Sequence, residues 1–154
     1  LIYTMKEKII ELQNRWADGI IKMGELSSNK DSLKSFANDF LDKMYDFDGD
    51  QLFFKPTKAS EIQFRNTKEK TLSYFIGGDN RQCREDDGFA LAKWKKVSFE
   101  NSQIKIIDNL GFAIGNCYFE NESTKIKAEF SFGYIEVNKS IKIFLHHSSI
   151  PYKK

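Results

Sequence analysis

Six apolar residues near the start of the chain, Met5, Ile9, Leu12, Trp16, Ile20 and Met23, recur at three- and four-residue steps. That spacing puts them on one face of a helix, and a helix with one apolar face needs a partner to cover it. Thr4, with Glu7 three residues on, makes a capping box where the helix should begin. After the polar break Ser27-Ser28-Asn29-Lys30 a second helix is predicted. Leu33, Phe36, Ala37, Phe40, Leu41 and Met44 share its face, and Asp31 or Ser32 is the N-cap. The run from Asp46 to Asp50, with Gly49 inside, ends it. The pattern then changes to strands. Short ones are predicted over 51–57, 61–65 and 71–76, the last closed by the turn Gly77-Gly78-Asp79-Asn80. A polar loop, 81–88, precedes segments 89–99, 103–107, 112–119, 125–137 and 141–149, most of them separated by turn residues. Helices first and a strand meander afterwards read as a single α+β domain over 1–154, its helices packed on a curved antiparallel sheet.

Composition narrows the function. A chain of 154 residues with 40% hydrophobic and 14% aromatic content has material for one packed core, which argues against disorder. Its 24 basic and 22 acidic side chains are interspersed, with no block of like charge that a nucleic acid or a membrane surface would require. No apolar run approaches the roughly 18 to 20 residues of a membrane span. Cys83 and Cys117 lie in no metal-binding spacing and read as two thiols.

The last predicted strand, 141–149, reads IKIFLHHSS. Regular alternation puts Ile141, Ile143, Leu145, His147 and Ser149 on one face and Lys142, Phe144, His146 and Ser148 on the other. The first set is the more apolar, so it is expected to face the interior, with His147 and Ser149 as polar groups inside an apolar cavity. Neighbouring residues of a strand point to opposite faces, so His146 and His147 are poorly placed to share an ion. They are the chain's only histidines, which excludes a three-histidine zinc site by counting. Asp46, Asp48 and Asp50 have the spacing of a calcium loop, but no Glu follows at the twelfth position, so the run reads as a solvated turn.

The string LHHSSIPY at 145–152 resembles a signature of the iota-class carbonic anhydrases. FKPTKA (54–59), SYFIGG (73–78), DDGFAL (86–91) and FGYIEV (132–137) also resemble that family, in the same order, and the resemblance runs from about residue 3 to the end. The FKPT and FGY blocks are most similar to its metal-free branch. The resemblance implies an NTF2-like cone and reversible hydration of CO2 to bicarbonate with no metal or other cofactor. It implies that a threonine, a tyrosine and a serine hydroxyl hold the substrate. The matching residues are Thr57, Tyr74 and a serine of the HHSS block. Alternation selects Ser149 over its neighbour Ser148.

Tyr74 would share a strand face with Leu72 and Ile76, and these two with Leu145 would form apolar walls. His147 would tune the site or relay protons, and Arg65 would be either a pocket charge or a packed surface stem. By family analogy a homodimer forms through the sheet. Along 125–131, Ile126, Ala128 and Phe130 face one way and Lys125, Lys127, Glu129 and Ser131 the other. Two other readings use the same cone: an isomerase or cyclase of the SnoaL-like kind, and a noncatalytic association or ligand-binding module. The compartment stays open; an algal plastid is one setting the resemblance implies, with any targeting segment outside the sequence. The start at Leu1 suggests a mature form or an excised domain.

Overall fold

The computed structural model describes residues 2–154. Helix α1 (Met5–Glu25) begins at the capping box, with the Thr4 hydroxyl accepting from the Glu7 amide and the Glu7 carboxylate accepting from the Thr4 amide. Its predicted face is buried at Ile9, Leu12, Trp16, Ile20 and Met23. Helix α2 (Lys30–Met44) buries Leu33, Ala37, Phe40, Leu41 and Met44. Its N-cap is Asn29, whose side chain accepts from the Ser32 amide, rather than Asp31 or Ser32. The two helices touch where α1 carries Gly19: a Cβ there would lie 2.2 Å from the Phe40 ring.

A single five-stranded sheet follows, built from β1 (Phe53–Lys55), β2 (Lys96–Ile107), β3 (Leu110–Glu120), β4 (Lys125–Val137) and β5 (Ser140–Ser149). Its order is β1-β5-β4-β3-β2. The four long strands form an antiparallel meander and β1 joins the edge in parallel with β5. Register slips at Asn101/Gln103 in β2 and at Gly133/Tyr134 in β4, where Ile143 and Leu145 of β5 flank the odd residue Phe144. Such bulges bend strands and increase twist, which curls the sheet around α1. Ala113, Cys117 and Phe119 of β3 and Ala128, Phe130, Phe132 and Tyr134 of β4 form the concave face of the core. Each apolar side chain buried there contributes about 1.5–3 kcal/mol.

Four predicted strands are corrected. Residues 71–76 belong to a helix, α3 (Lys68–Ile76), capped by the Thr67 side chain, which accepts from the Lys70 amide. Thr, Tyr, Phe and Ile favour strands locally, but the cap and the Lys-Glu-Lys turn after it start a helix, and burial of Thr71, Tyr74 and Phe75 holds it. Residues 61–65 form no strand; the Arg65 amide alone reaches the chain of β1, donating to the Phe54 carbonyl at 2.7 Å. Segments 89–99 and 103–107 divide differently: a helical turn covers 89–92, and one bulged strand then runs through 96–107. Asp46, Asp48 and Asp50 lie in a local turn where the Asp46 carboxylate accepts from the Asp48 amide.

Candidate active site

The bulge decides what β5 presents to the interior. Phe144 is the extra residue, and its ring lies over Gly133, where an added Cβ would meet Phe144 Cζ at 2.7 Å. Alternation changes phase across it. Ile141 and Ile143 face inward as predicted, but beyond the bulge His146 and Ser148 are buried while His147 is exposed. The expectation that Leu145, His147 and Ser149 face the interior is therefore overturned. The polar pair inside the sheet is His146 and Ser148.

β1 brings Thr57 to that pair. Phe54 lies opposite His146 in the parallel ladder, and Pro56-Thr57 continue beside Ser148. The Thr57 hydroxyl donates to Ser148 Oγ at 2.8 Å, and Ser148 Oγ donates in turn to the Glu129 carbonyl at 3.3 Å. Tyr74 comes from α3: its hydroxyl accepts from the Lys58 amide at 3.3 Å, and the Thr57 side chain is a further hydrogen-bonding neighbour. Burial pushes the Tyr74 hydroxyl above the ordinary phenol range; the Lys58 amide and the Arg65 charge oppose this without cancelling it. The phenol is thus a neutral donor at pH 7.

His146 is stacked on Phe54, with centroids 4.5 Å apart, and meets the edge of Phe132 at 4.2 Å. Burial, and then the neighbouring His147, hold its imidazole well below the ordinary histidine range. Nδ1 lies 2.9 Å from the Tyr45 hydroxyl, which also accepts from Trp16 Nε1 at 2.9 Å.

Thr57, Tyr74, His146, Ser148 and Trp16 line one narrow cavity walled by Phe54, Phe89, Phe119 and Phe132, with about 10 Å³ of room for the centre of a water-sized molecule; Tyr45 stands behind it. That is room for about one water. A wider hollow of about 290 Å³ adjoins it, sharing Tyr74 and Phe89, with Lys58, Glu85 and Asp87 at its rim. The arrangement can place hydroxyl donors and acceptors around a very small molecule in apolar surroundings.

Of the predicted hydroxyls, Thr57 and Tyr74 come together, and the serine beside them is Ser148 rather than the expected Ser149. Leu72 and Ile76 line a separate groove between α2 and α3, and Leu145 lines another beside β1, so none of the three walls the cavity. Arg65 is fully buried outside the cavity, in a two-pronged ion pair with Asp86 at 2.7 and 2.8 Å, and its guanidinium lies 5.8 Å from the centre of the Tyr74 ring. Sequence reasoning missed His146, Tyr45 and Trp16 as parts of one site. The glycine of FGYIEV, opposite a strand rich in large residues, was the available signal for the bulge. Tyr45 carried none, because a bridge to Ile143 in β5 places it. Among the described residues no group of three or more His, Cys, Asp and Glu is placed to hold a metal ion.

Helices backed on a curled sheet with an aromatic-walled cavity inside define an NTF2-like protein. An NTF2-like protein of unknown function from Shewanella oneidensis superposes with a TM-score of 0.58 at 13% identity, covering 95% of this chain and 99% of that one. A putative calcium/calmodulin-dependent protein kinase II association domain from Xanthomonas campestris gives 0.65 at 13%, covering 99% and 91%. Both show the fold alone. A cyanobacterial iota-carbonic anhydrase crystallised with bicarbonate superposes with a TM-score of 0.90 at 28% identity, covering 99% of this chain and 94% of that one. A metal-independent carbonic anhydrase of Nostoc sp. is 30% identical over 155 residues, covering 97% of this chain and 75% of the relative. The sequence profile of metal-independent carbonic anhydrases matches residues 7–150. The chain belongs to the metal-independent carbonic anhydrase family, enzymes that interconvert CO2 and bicarbonate.

Proposed function

We propose that this chain hydrates CO2 where the narrow cavity opens into the wider hollow, with Thr57, Tyr74 and Ser148 as the hydroxyls that hold the reactants and no metal taking part. The observation that carries this reading is the 2.8 Å bond from Thr57 to Ser148 Oγ, beside the Tyr74 phenol inside one aromatic cavity. The water oxygen attacks carbon, one C–O bond forms as a C=O π pair moves onto oxygen, and the water's proton passes to solvent water or buffer, giving bicarbonate. Negative charge grows on the CO2 oxygens as this happens, and fixed donors already aimed there favour the transition state over the uncharged gas. Tyr74, kept protonated by burial, supplies one such donor. Ser148 commits its proton to the Glu129 carbonyl and keeps a lone pair for the attacking water. Positioning both reactants removes much of the entropic cost of their encounter. The proton leaves through the wider hollow, where Tyr74 meets solvent-sized space.

The cavity's size argues against a SnoaL-like reaction on a large ring. His147, exposed on the outer face, has no place in this mechanism. A homodimer through the outer face of the sheet belongs to the same proposal. Ile107, Ile114 and Val137 are exposed there, beside the half-buried pair Phe112 and Phe144. Sedimentation of the wild type against Ile114→Lys tests it.

The activity is tested by stopped-flow CO2 hydration on chelated protein with metal content measured in parallel. Full activity without metal supports the mechanism. Activity that disappears on chelation and returns with one ion sinks the metal-free mechanism while keeping the reaction. Inactivity under both conditions leaves a noncatalytic binding module on this fold.

A further inference from the structure

We infer that Tyr45, itself oriented by Trp16, fixes His146 as the Nε2–H tautomer and so aims a neutral hydrogen-bond donor into the cavity. What that donor meets there rests on the functional reading above; the tautomer does not.

The assignment follows from which groups can give a proton and which can accept one. Indole Nε1 is a donor only, so Trp16 donates to Tyr45 Oη. Tyr45 is fully buried, and the other partner of its hydroxyl is His146 Nδ1. A buried hydroxyl proton needs an acceptor, and Nδ1 is the one within reach. Tyr45 therefore donates to Nδ1, which must carry a lone pair. A neutral imidazole with a bare Nδ1 holds its proton on Nε2.

The surroundings keep the ring neutral and still. Burial and then His147 depress its basicity, as described above. The other titratable groups at this end of the core, Tyr45, Tyr74 and Cys117, are all pushed up by burial and carry no charge at pH 7. No carboxylate lines the cavity to stabilise an imidazolium. The Phe54 face and the Phe132 edge clamp the ring on two sides.

Nε2 has no protein partner. Among the described residues no side-chain nitrogen or oxygen sealed away from solvent-sized space lacks one, so Nε2 must face open space. His146 borders two open spaces, the cavity shared with Thr57 and Ser148 and a groove beside β1 onto which the outward residues Phe53, Leu145 and His147 face; its ring, packed inside against Phe54 and Phe132, opens on the first. An Nε2–H there suits an acceptor oxygen of CO2 or bicarbonate. It also rules His146 out as the base that takes the water's proton, because its one lone pair is already engaged by Tyr45. Tyr45 is a positioning residue: it acts on the substrate only through the ring.

The test is nitrogen-15 NMR of the imidazole in the whole chain, with His147→Gln leaving His146 as the single histidine. We expect Nε2 protonated and Nδ1 bare throughout the range from about pH 6 to about pH 9, where a free histidine would titrate. Added bicarbonate should shift the Nε2–H resonance. Trp16→Phe should keep the tautomer. Tyr45→Phe should lose it, giving mixed or Nδ1–H forms, with CO2 hydration falling about tenfold, the effect of one hydrogen bond. An Nδ1–H ring or an imidazolium at neutral pH in the single-histidine protein overturns the inference, as does an unchanged tautomer in folded Tyr45→Phe. If the tautomer is as expected but the protein hydrates no CO2, the functional reading falls and the ring assignment stands. A wrong tautomer in an active enzyme does the reverse.

Discussion

Two buried polar clusters lie on either side of the Tyr74 ring, and they are finished differently. Around Arg65, every group is matched. Its guanidinium donates to the Ile62 and Lys70 carbonyls, to both Asp86 oxygens and to the Cys83 sulfur, and Ser73 donates to Asp86 at 2.5 Å. Around Ser148, the Thr57 and Ser148 hydroxyls are bonded but retain lone pairs, and His146, bonded at Nδ1, has no partner for Nε2 among the described residues. A closed cluster stabilises the fold: it pins the loops before and after α3, at Arg65 and at 82–86, to that helix. An open one keeps polar capacity for a ligand. Burial of polar groups alone does not separate structure from function; the unspent valence does.

The sharpest way to break this contrast is Asp86→Ala. It leaves the Arg65 charge buried without its partner, and the expected cost is about 3–5 kcal/mol. Replacing both Arg65 and Asp86 with apolar residues should cost much less, because no lone charge remains. Urea unfolding checks both. Burial alone would raise the Asp86 carboxyl, but hydrogen bonds from Arg65 and Ser73 hold it below the ordinary carboxylate value. A depressed carboxyl contributes stability that is full above its unfolded pKa and is lost as pH falls through the folded one. The gap between wild type and Asp86→Ala should therefore close below about pH 4.

Ser148→Ala should do the opposite. Stability should change by about 1 kcal/mol, the worth of one hydrogen bond. The hydration kcat/KM should fall about 10²- to 10³-fold, as when one group facing developing charge is removed. A large stability loss with near-normal kcat/KM would place Ser148 in the structural class and dissolve the contrast.

Gly133→Ala tests the bulge that turned Ser148 inward. The new methyl meets the Phe144 ring, and overpacking of this kind costs about 1–3 kcal/mol, read as a lowered melting temperature. An unchanged melting temperature would mean that the bulge does not depend on the glycine. Smallest of all, Ser149→Ala and His147→Gln should leave stability within about 0.5 kcal/mol. They should leave kcat/KM within about twofold, since neither side chain lines the cavity; a large activity loss in either would move the site to the other face of β5.

Much of this molecule was legible in its sequence, and the legible parts share a cause. Helix faces are short-range patterns: the periodic positions of α1 and α2 are buried because 3.6-residue spacing and caps are local properties. Thr57 and Tyr74 were found from ordered family blocks, and they do reach the cavity. The strand predicted at 71–76 failed because local strand preference lost to the Thr67 cap, four residues before Thr71, and to packing against the core. The face of the serines was misread because the phase of β5 is set by its partner strand, at Gly133 of β4.

By itself, then, the sequence determined the two N-terminal helices with their core faces, the strand meander that ends the chain, the family, and two of the hydroxyls that reach the cavity. Tertiary structure decided which serine joins them, which histidine is inside, and that Tyr45 stands behind it. The reason is physical. Periodicity repeats along a chain until something outside the chain interrupts it, and a bulge opposite Gly133, a bridge from Tyr45 to Ile143 and a parallel edge strand are contacts between residues far apart in sequence.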